Sequence, residues 1–292
     1  MTADCPDTYA YEPARKHVSE QARRHYWATA IGLQKVDGLD VSPYLRRAAD
    51  AYIEGKRSLE ETGELVRSYH HGHDDPEHEE ADLVSQRIAE LLVNSPFALT
   101  SDFLPQIHRH LFQDLDEEVY HPGEFKTERM IKQEDILNGD SVLYADPSTY
   151  AMSIRSAMER EQTRVYTTFS RDELKAFCQT IAFLWQVHPF YEGNTRTIAV
   201  FSELYLNHLG FDVENEPFER HSRYYRDALV RAMYRNASAG IMPDDAFLVA
   251  FYESVLGFEK NVLDRESLLC TPLFESPGLL RNVDPSEALH RD

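Results

Sequence analysis

Apolar residues recur at helical spacing along most of this chain, and the pattern is clearest between positions 170 and 210. Leu174, Phe177, Cys178, Ile181, Leu184 and Trp185 share one helical face, and Ile198, Phe201, Leu204, Tyr205 and Leu209 share another. Ser170 with Glu173 forms a capping box for the first of these helices, and Asp172 suits its N-terminus. That helix should stop near Val187, because Pro189 disfavours the helical region for the residue before it. Gly210 stops the second. His188 therefore falls at a helix-to-loop junction.

The same spacing predicts helices through most of the remainder. One runs from Ala14 to Gln34 and breaks at Asp37-Gly38-Leu39-Asp40. A second, capped by Ser42-Pro43, runs to Ile53, and a third opens at Ser58-Leu59-Glu60-Glu61. His70-His71-Gly72-His73-Asp74-Asp75 reads as a solvated linker, since its histidines lack the paired spacing of a structural zinc site. Further helices carry Val84, Ile88, Leu91 and Leu92, then Leu99 to Leu115, then the stretch opened by Pro147-Ser148, then Phe218 to Tyr234 and Pro243 to Phe258. One region departs from this period. Glu128 to Leu137 and Ser141 to Ala145 flank Asn138-Gly139-Asp140, and Asn-Gly is a strong hairpin signal. From about Glu259 the chain loses its period and should wrap the surface. The fold class expected is mostly α, a helical bundle with one β-hairpin, preceded by a small three-helix module.

Composition narrows the function without choosing it. The 292 residues suffice for one or two domains, and 50 acidic against 30 basic side chains give a net charge of −20. That balance argues against broad binding to nucleic-acid backbones. Cys5, Cys178 and Cys270 lie far apart with no CxxC spacing, which fits a reducing compartment, and Cys178 falls on an apolar helix face. The N-terminus lacks a basic start followed by an apolar run, and no stretch reaches membrane-spanning length, so a cytoplasmic location is expected.

The chemistry concentrates in His188-Pro189-Phe190-Tyr191-Glu192-Gly193-Asn194-Thr195-Arg196. His188 is a candidate base on a rigid mount. The loop after it ends at a helix N-terminus, where free backbone N–H groups and the helix dipole favour an anion. Gly193 permits close approach of the backbone to a phosphate. Arg196 can fork two hydrogen bonds to phosphate oxygens. Glu192 can hold a divalent cation through oxygen, as Mg2+ on phosphates prefers.

This stretch resembles the signature of the Fic family, His-Pro-Phe-x-Asp/Glu-Gly-Asn-Gly-Arg-x-x-Arg, at His188, Pro189, Phe190, Glu192, Gly193, Asn194 and Arg196. The resemblance implies a protein adenylyltransferase. A target hydroxyl loses its proton to His188 and attacks the α-phosphate of ATP, and pyrophosphate leaves. Glu192 would hold Mg2+, and Gly193, Asn194, Thr195 and Arg196 would bind the phosphates. The hairpin would be the family's flap, with Met130, Ile131, Lys132 and Gln133 as the edge that pairs with the target segment. Tyr224 or Tyr225 would stack on the base, with Asn236 nearby. The partner would be a protein target or the chain itself, and a homo-oligomer is compatible.

Two positions depart from the signature. Thr195 stands where the family has glycine, and Ala199 where it has its second arginine. Losing that charge-assisted contact costs on the order of 1.5–3 kcal/mol. The alternative reading is thus a Fic fold with weak or altered activity, using a different phosphate-containing donor or serving as a nucleotide-binding regulator. Residues 1–75 are expected to form a helical module and linker, of which roughly residues 20 to 70 resemble the antitoxin module that accompanies such proteins; residues 76–260 resemble the Fic domain, and 261–292 form a tail. The inhibitory motif of that module, Ser/Thr-x-x-x-Glu-Gly, has its nearest fit at Leu33-x-x-x-Asp37-Gly38, which makes Asp37 and Gly38 candidate regulatory residues. With alanine at 199, the carboxylate at 37 is expected to lack its ion-pair partner, and the module to pack without switching.

Overall fold

The computed structural model describes residues 18–94, 97–166 and 169–282. The N-terminal leader with Cys5, and the predicted helix start at Ala14, lie outside the described residues. Among the described residues twelve α-helices follow in order: α1 (Glu20–Gly32), α2 (Pro43–Ile53), α3 (Leu59–Gly72), α4 (Pro76–Asn94), α5 (Phe103–Phe112), α6 (Glu117–Tyr120), α7 (Tyr150–Gln162), α8 (Arg171–Val187), α9 (Asn194–His208), α10 (Glu216–Met233), α11 (Ala246–Val255) and α12 (Thr271–Glu275), with a 3-10 turn at Leu33–Asp37 after α1. No described helix is long and apolar enough to cross a membrane.

Caps set the ends as the sequence predicts. Ser42 Oγ accepts from Leu45 N–H, and both capping boxes, Ser58/Glu61 and Ser170/Glu173, are formed. The helix α9 is the axis of the molecule: every side chain from Asn194 to Leu206 is buried. Around it pack α4, α5, α8 and the 3-10 turn Leu33–Asp37. The N-terminal helices belong to the same core. One face of α1 meets α4 and another meets α10. Gly32 permits the second contact, because a Cβ there would lie 2.3 Å from the Cα of Glu219. Ser222 Oγ donates to the Gly32 carbonyl at 2.8 Å and locks the crossing.

The expected linker is shorter than its sequence suggests. Only residues 73–75 separate α3 from α4, and His70 belongs to α3. Its Nε2 meets buried Asp82 at 3.0 Å, and Asp82 also accepts from Ser42 N–H and Oγ. A histidine at the inner end of an amphipathic helix finds a carboxylate there, which composition alone reads as a polar run.

The β-hairpin is not formed, and no strand occurs among the described residues. Asn138 and Gly139 do adopt positive φ, 55° and 86°, so the turn is real. It is closed by Glu134 N–H to the Asp140 carbonyl at 3.0 Å and by a 3-10 turn at Asp135–Leu137. Above it the ladder gives way to a side-chain bond, Lys132 N–H to Ser141 Oγ at 3.2 Å. The reason is burial. Ile136, Leu137, Asn138, Asp140, Ser141 and Val142 all point into the core, where an exposed two-stranded ribbon would keep one face in water. The tail after Glu259 covers this turn. Asn138 Nδ2 donates to the Leu273 carbonyl at 2.9 Å, Cys270 N–H to the Ile136 carbonyl at 2.8 Å, and Asp140 accepts from Tyr234 Oη at 2.6 Å and Asn282 N–H at 3.1 Å.

Candidate functional site

The exit of α8 builds the site. His188 caps the helix in the left-handed region, φ 50°, with its N–H on the Trp185 carbonyl at 3.1 Å. Only a minority of non-glycine residues sit there, and histidine tolerates it better than most. The following proline excludes the alternative of continuing the helix. The imidazole is 4% exposed, stacks on Tyr144 at 4.1 Å between ring centres and meets Trp185 edge-on at 5.7 Å. Its Nδ1 is buried without a hydrogen-bond partner among the described residues. Burial first, then the charges of Lys126, Lys132 and Arg226, hold its pKa well below the usual histidine range. The ring is neutral at neutral pH, the state a general base requires.

Tyr144 covers this ring and is held in turn. Its hydroxyl donates to Glu134 Oε1 at 3.2 Å, and the other oxygen of that buried carboxylate pairs with Arg226 Nη1 at 2.6 Å.

The loop 189–193 is closed by Asn194. Its Nδ2 donates to the Phe190 carbonyl at 2.8 Å and its Oδ1 accepts from Phe190 N–H at 3.0 Å. Gly193 has φ 72°, and a Cβ on it would lie 2.1 Å from Phe112 Cζ, so this glycine makes room for a phenylalanine of the core. Gly193 offers no side chain to the N-terminus of α9, and the first amides of that helix keep their capacity for an anion. Thr195 Oγ1 accepts from Trp185 Nε1 at 3.0 Å, which ties the end of α8 to the start of α9. The hydroxyl that replaces the family's glycine is thus a structural acceptor. Ala199 is buried within α9.

Arg196 is 1% exposed and points toward the N-terminal helices. Nε pairs with Asp37 at 2.9 Å, Nη2 with Glu80 at 2.6 Å, and Nη1 donates to Gln34 Oε1 at 3.0 Å, while the guanidinium lies 5.0 Å from the centre of the Phe112 ring. Burial opposes its charge, but Asp37 and Glu80 outweigh burial and hold its pKa above the ordinary value. This corrects the expectation that the carboxylate at 37 lacks a partner: it pairs with the arginine that is present, three positions before the missing one. Gly38, in the left-handed region at φ 77°, ends the turn that delivers Asp37.

Glu192 is exposed and lines a cavity of about 440 Å³ with Asp37, Lys132, Gln133, Arg223 and Arg226. Its carboxylate makes no ion pair among the described residues. Met130 to Gln133 have no regular secondary structure; Lys132 and Gln133 line the cavity, and Ile131 is 66% exposed. Tyr225 and Asn236 stand apart from the site. The Tyr225 hydroxyl bonds that of Tyr252 at 3.1 Å in the core, and Asn236 Nδ2 donates to the Leu279 carbonyl at 2.7 Å. Neither is placed to receive a base. Tyr224 is buried too, yet borders a second cavity with Arg220 and Arg223.

Sequence reasoning missed two residues. His108 of α5 stacks flat on Phe190 at 3.9 Å, accepts Gly123 N–H at Nδ1 at 2.9 Å and meets the Glu192 carbonyl with Nε2 at 3.0 Å. Burial drives its pKa down to about 3, so it is a neutral clamp on the loop. A histidine amid the apolar positions Phe103, Ile107, Leu111 and Phe112 was the available signal. The other is Lys126, which is buried beside His188.

Residues 98–206 match the family model described as the Fic/DOC family, a little over a third of the chain. No curated protein and no solved structure matches the chain. The match spans α5 to the body of α9 and so includes His188, Glu192 and Arg196; this chain carries a domain of the Fic/DOC family.

Proposed function

We propose that the chain transfers a nucleotidyl group, AMP from ATP, to a hydroxyl of a protein target. The observation that carries this reading is a neutral imidazole at the exit of α8 beside an α9 N-terminus that no side chain caps. The target hydroxyl gives its proton to His188, its oxygen bonds to the α-phosphorus, and the bond to the pyrophosphate oxygen breaks. Amides at the start of α9 suit phosphate oxygens. The free carboxylate of Glu192 on the cavity fits a divalent cation shared with phosphates, which bind with one or two protein carboxylates. Bound there, Mg2+ would neutralise phosphate charge. The partly exposed stretch Met130–Gln133 would offer main-chain groups to a target segment.

The conformation described is a resting one on this reading. Tyr144 covers His188, and Arg196 is engaged by Asp37 and Glu80. A second reading, a nucleotide-binding regulator or an enzyme with another phosphate-containing donor, draws support from that saturated Arg196 and from Ala199. Intact-mass analysis decides between them. The protein is incubated with ATP and Mg2+, with other nucleotides or with cytidine-diphosphate-type donors, each with cell lysate. An AMP adduct on lysate protein or on the chain itself, absent with His188→Ala, is the expected result. A different added mass, or tight nucleotide binding with no adduct, transfers support to the second reading.

A further inference from the structure

Lys126 is the most deeply buried lysine beside the motif, and no acidic side chain among the described residues pairs with it. It is 2% exposed. Its Nζ lies 5.9 Å from the centres of both the Tyr144 and Tyr150 rings and donates to the thioether of Met130 at 3.9 Å. No acidic side chain among the described residues comes within ion-pair distance. A buried ammonium without a carboxylate is costly, and aromatic faces at the outer limit of cation–π range compensate only in part. Burial, with Lys132 adding to it and Glu192 opposing, lowers its pKa to about 8.

The backbone that carries this side chain is stitched to the motif loop at three points. Lys126 N–H donates to the Pro189 carbonyl at 2.8 Å, Thr127 N–H to Tyr191 Oη at 3.3 Å, and Gly123 N–H to His108 Nδ1, whose ring holds the Glu192 carbonyl. Three anchors on one loop fix the lysine relative to that loop. Its charge is felt by His188 on one side and it feels Glu192 on the other.

We propose that Lys126 is a catalytic residue whose ammonium contacts an anionic oxygen of the bound phosphate chain, and so supplies the positive charge that Ala199 withholds. This rests on the reading of the site as a phosphate-donor site. Two features meet here: a fixed, buried cation with no carboxylate within ion-pair distance among the described residues, and an uncapped helix start at the end of the loop to which it is anchored. An incoming phosphate oxygen completes the lysine's coordination where protein leaves it incomplete, and the charge acts in a desolvated place where it has most effect.

The test is calorimetric binding of ATP with Mg2+, of pyrophosphate with Mg2+, and of adenosine, to the full chain and to Lys126→Met and Lys126→Arg. Lys126→Met should weaken ATP and pyrophosphate roughly tenfold or more and leave adenosine unchanged, and Lys126→Arg should recover part of the loss. Equal affinity of Lys126→Met and the unaltered protein for ATP and pyrophosphate would overturn the assignment while leaving the phosphate-donor reading intact. Absence of binding of either phosphate ligand by the unaltered protein would overturn both. Should Lys126→Met fail to fold, Lys126→Arg and the unaltered protein carry the test: phosphate affinity of the unaltered protein should fall between pH 7 and 9 and that of the arginine variant should not. A fall of the same size in both would contradict the proposal.

Discussion

His188 combines two conditions that sequence supplies separately. Pro189 forces it out of the helix, and the aromatic rings of Tyr144 and Trp185 then strip it of water. Burial lowers its folded pKa, so it stays neutral at pH values where a free histidine is half charged. The kcat/KM for transfer, which reports the free enzyme, should therefore persist unchanged as pH falls through 6.5, with its acid limb at lower pH. A rate profile bending near 6.5 or above and assigned to His188 would count against this. Stability follows the opposite trend with the same cause. Below about pH 6.5 the unfolded chain takes up a proton that the folded ring refuses, so stability declines as pH drops. At Gly193 the constraint is steric. Gly193→Ala places a methyl on Phe112 and imposes φ 72° on an L residue. It should destabilise by at least about 1–2 kcal/mol from the backbone alone, with the overlap adding to that. Thermal melting measures it, and an unchanged Tm would show that α5 yields freely.

Among the elements, helices were legible and the segment between α6 and α7 was not. Capping residues at Ser42, Ser58 and Ser170 act within four residues of their partners, so local sequence contains the whole interaction. The turn at Asn138-Gly139 is just as local, and both residues adopt positive φ there. What the sequence could not convey is that tail residues more than a hundred positions away bury that turn, and that its flanks therefore never form a ribbon. The motif residues were legible as a set, but their partners were not. Thr195 is held by Trp185, ten positions back, and Arg196 by Gln34 and Glu80 on helices that only the tertiary fold brings near. That last contact gives an element-level prediction. Glu80→Gln removes one carboxylate from a buried arginine, a change that costs about 3–5 kcal/mol when a buried pair is broken outright. Tm should fall. At the same time ATP binding should tighten roughly tenfold, since charge-assisted bonds of about 1.5–3 kcal/mol no longer compete for the guanidinium. Lower Tm with unchanged ATP affinity would assign Glu80 to packing alone.

For the whole molecule, the N-terminal helices are part of one core with the Fic/DOC domain. Glu203 shows how closely. It lies wholly buried on α9, accepts Asn215 Nδ2 at 3.0 Å and faces Thr29 of α1. Burial raises its pKa from 4.5 to about 8, so the folded chain keeps a proton that the unfolded chain releases. Stability should accordingly fall as pH rises from about 4.5 to about 8 and level off beyond. Glu203→Gln should flatten that slope, with a Tm advantage absent near pH 4.5 and reaching at least about 3 °C near pH 8. Parallel melting curves for both proteins across this range would exclude the buried acid as the cause. The proposed chemistry depends on where a triphosphate lies. The most direct measurement is a crystal structure of the chain with Mg2+ and a non-hydrolysable ATP analogue. The account predicts phosphate oxygens on the first amides of α9, the cation on Glu192, and Tyr144 withdrawn from His188. Phosphates lodged away from that helix start, with His188 still covered and Arg196 still on Asp37 and Glu80, would contradict it.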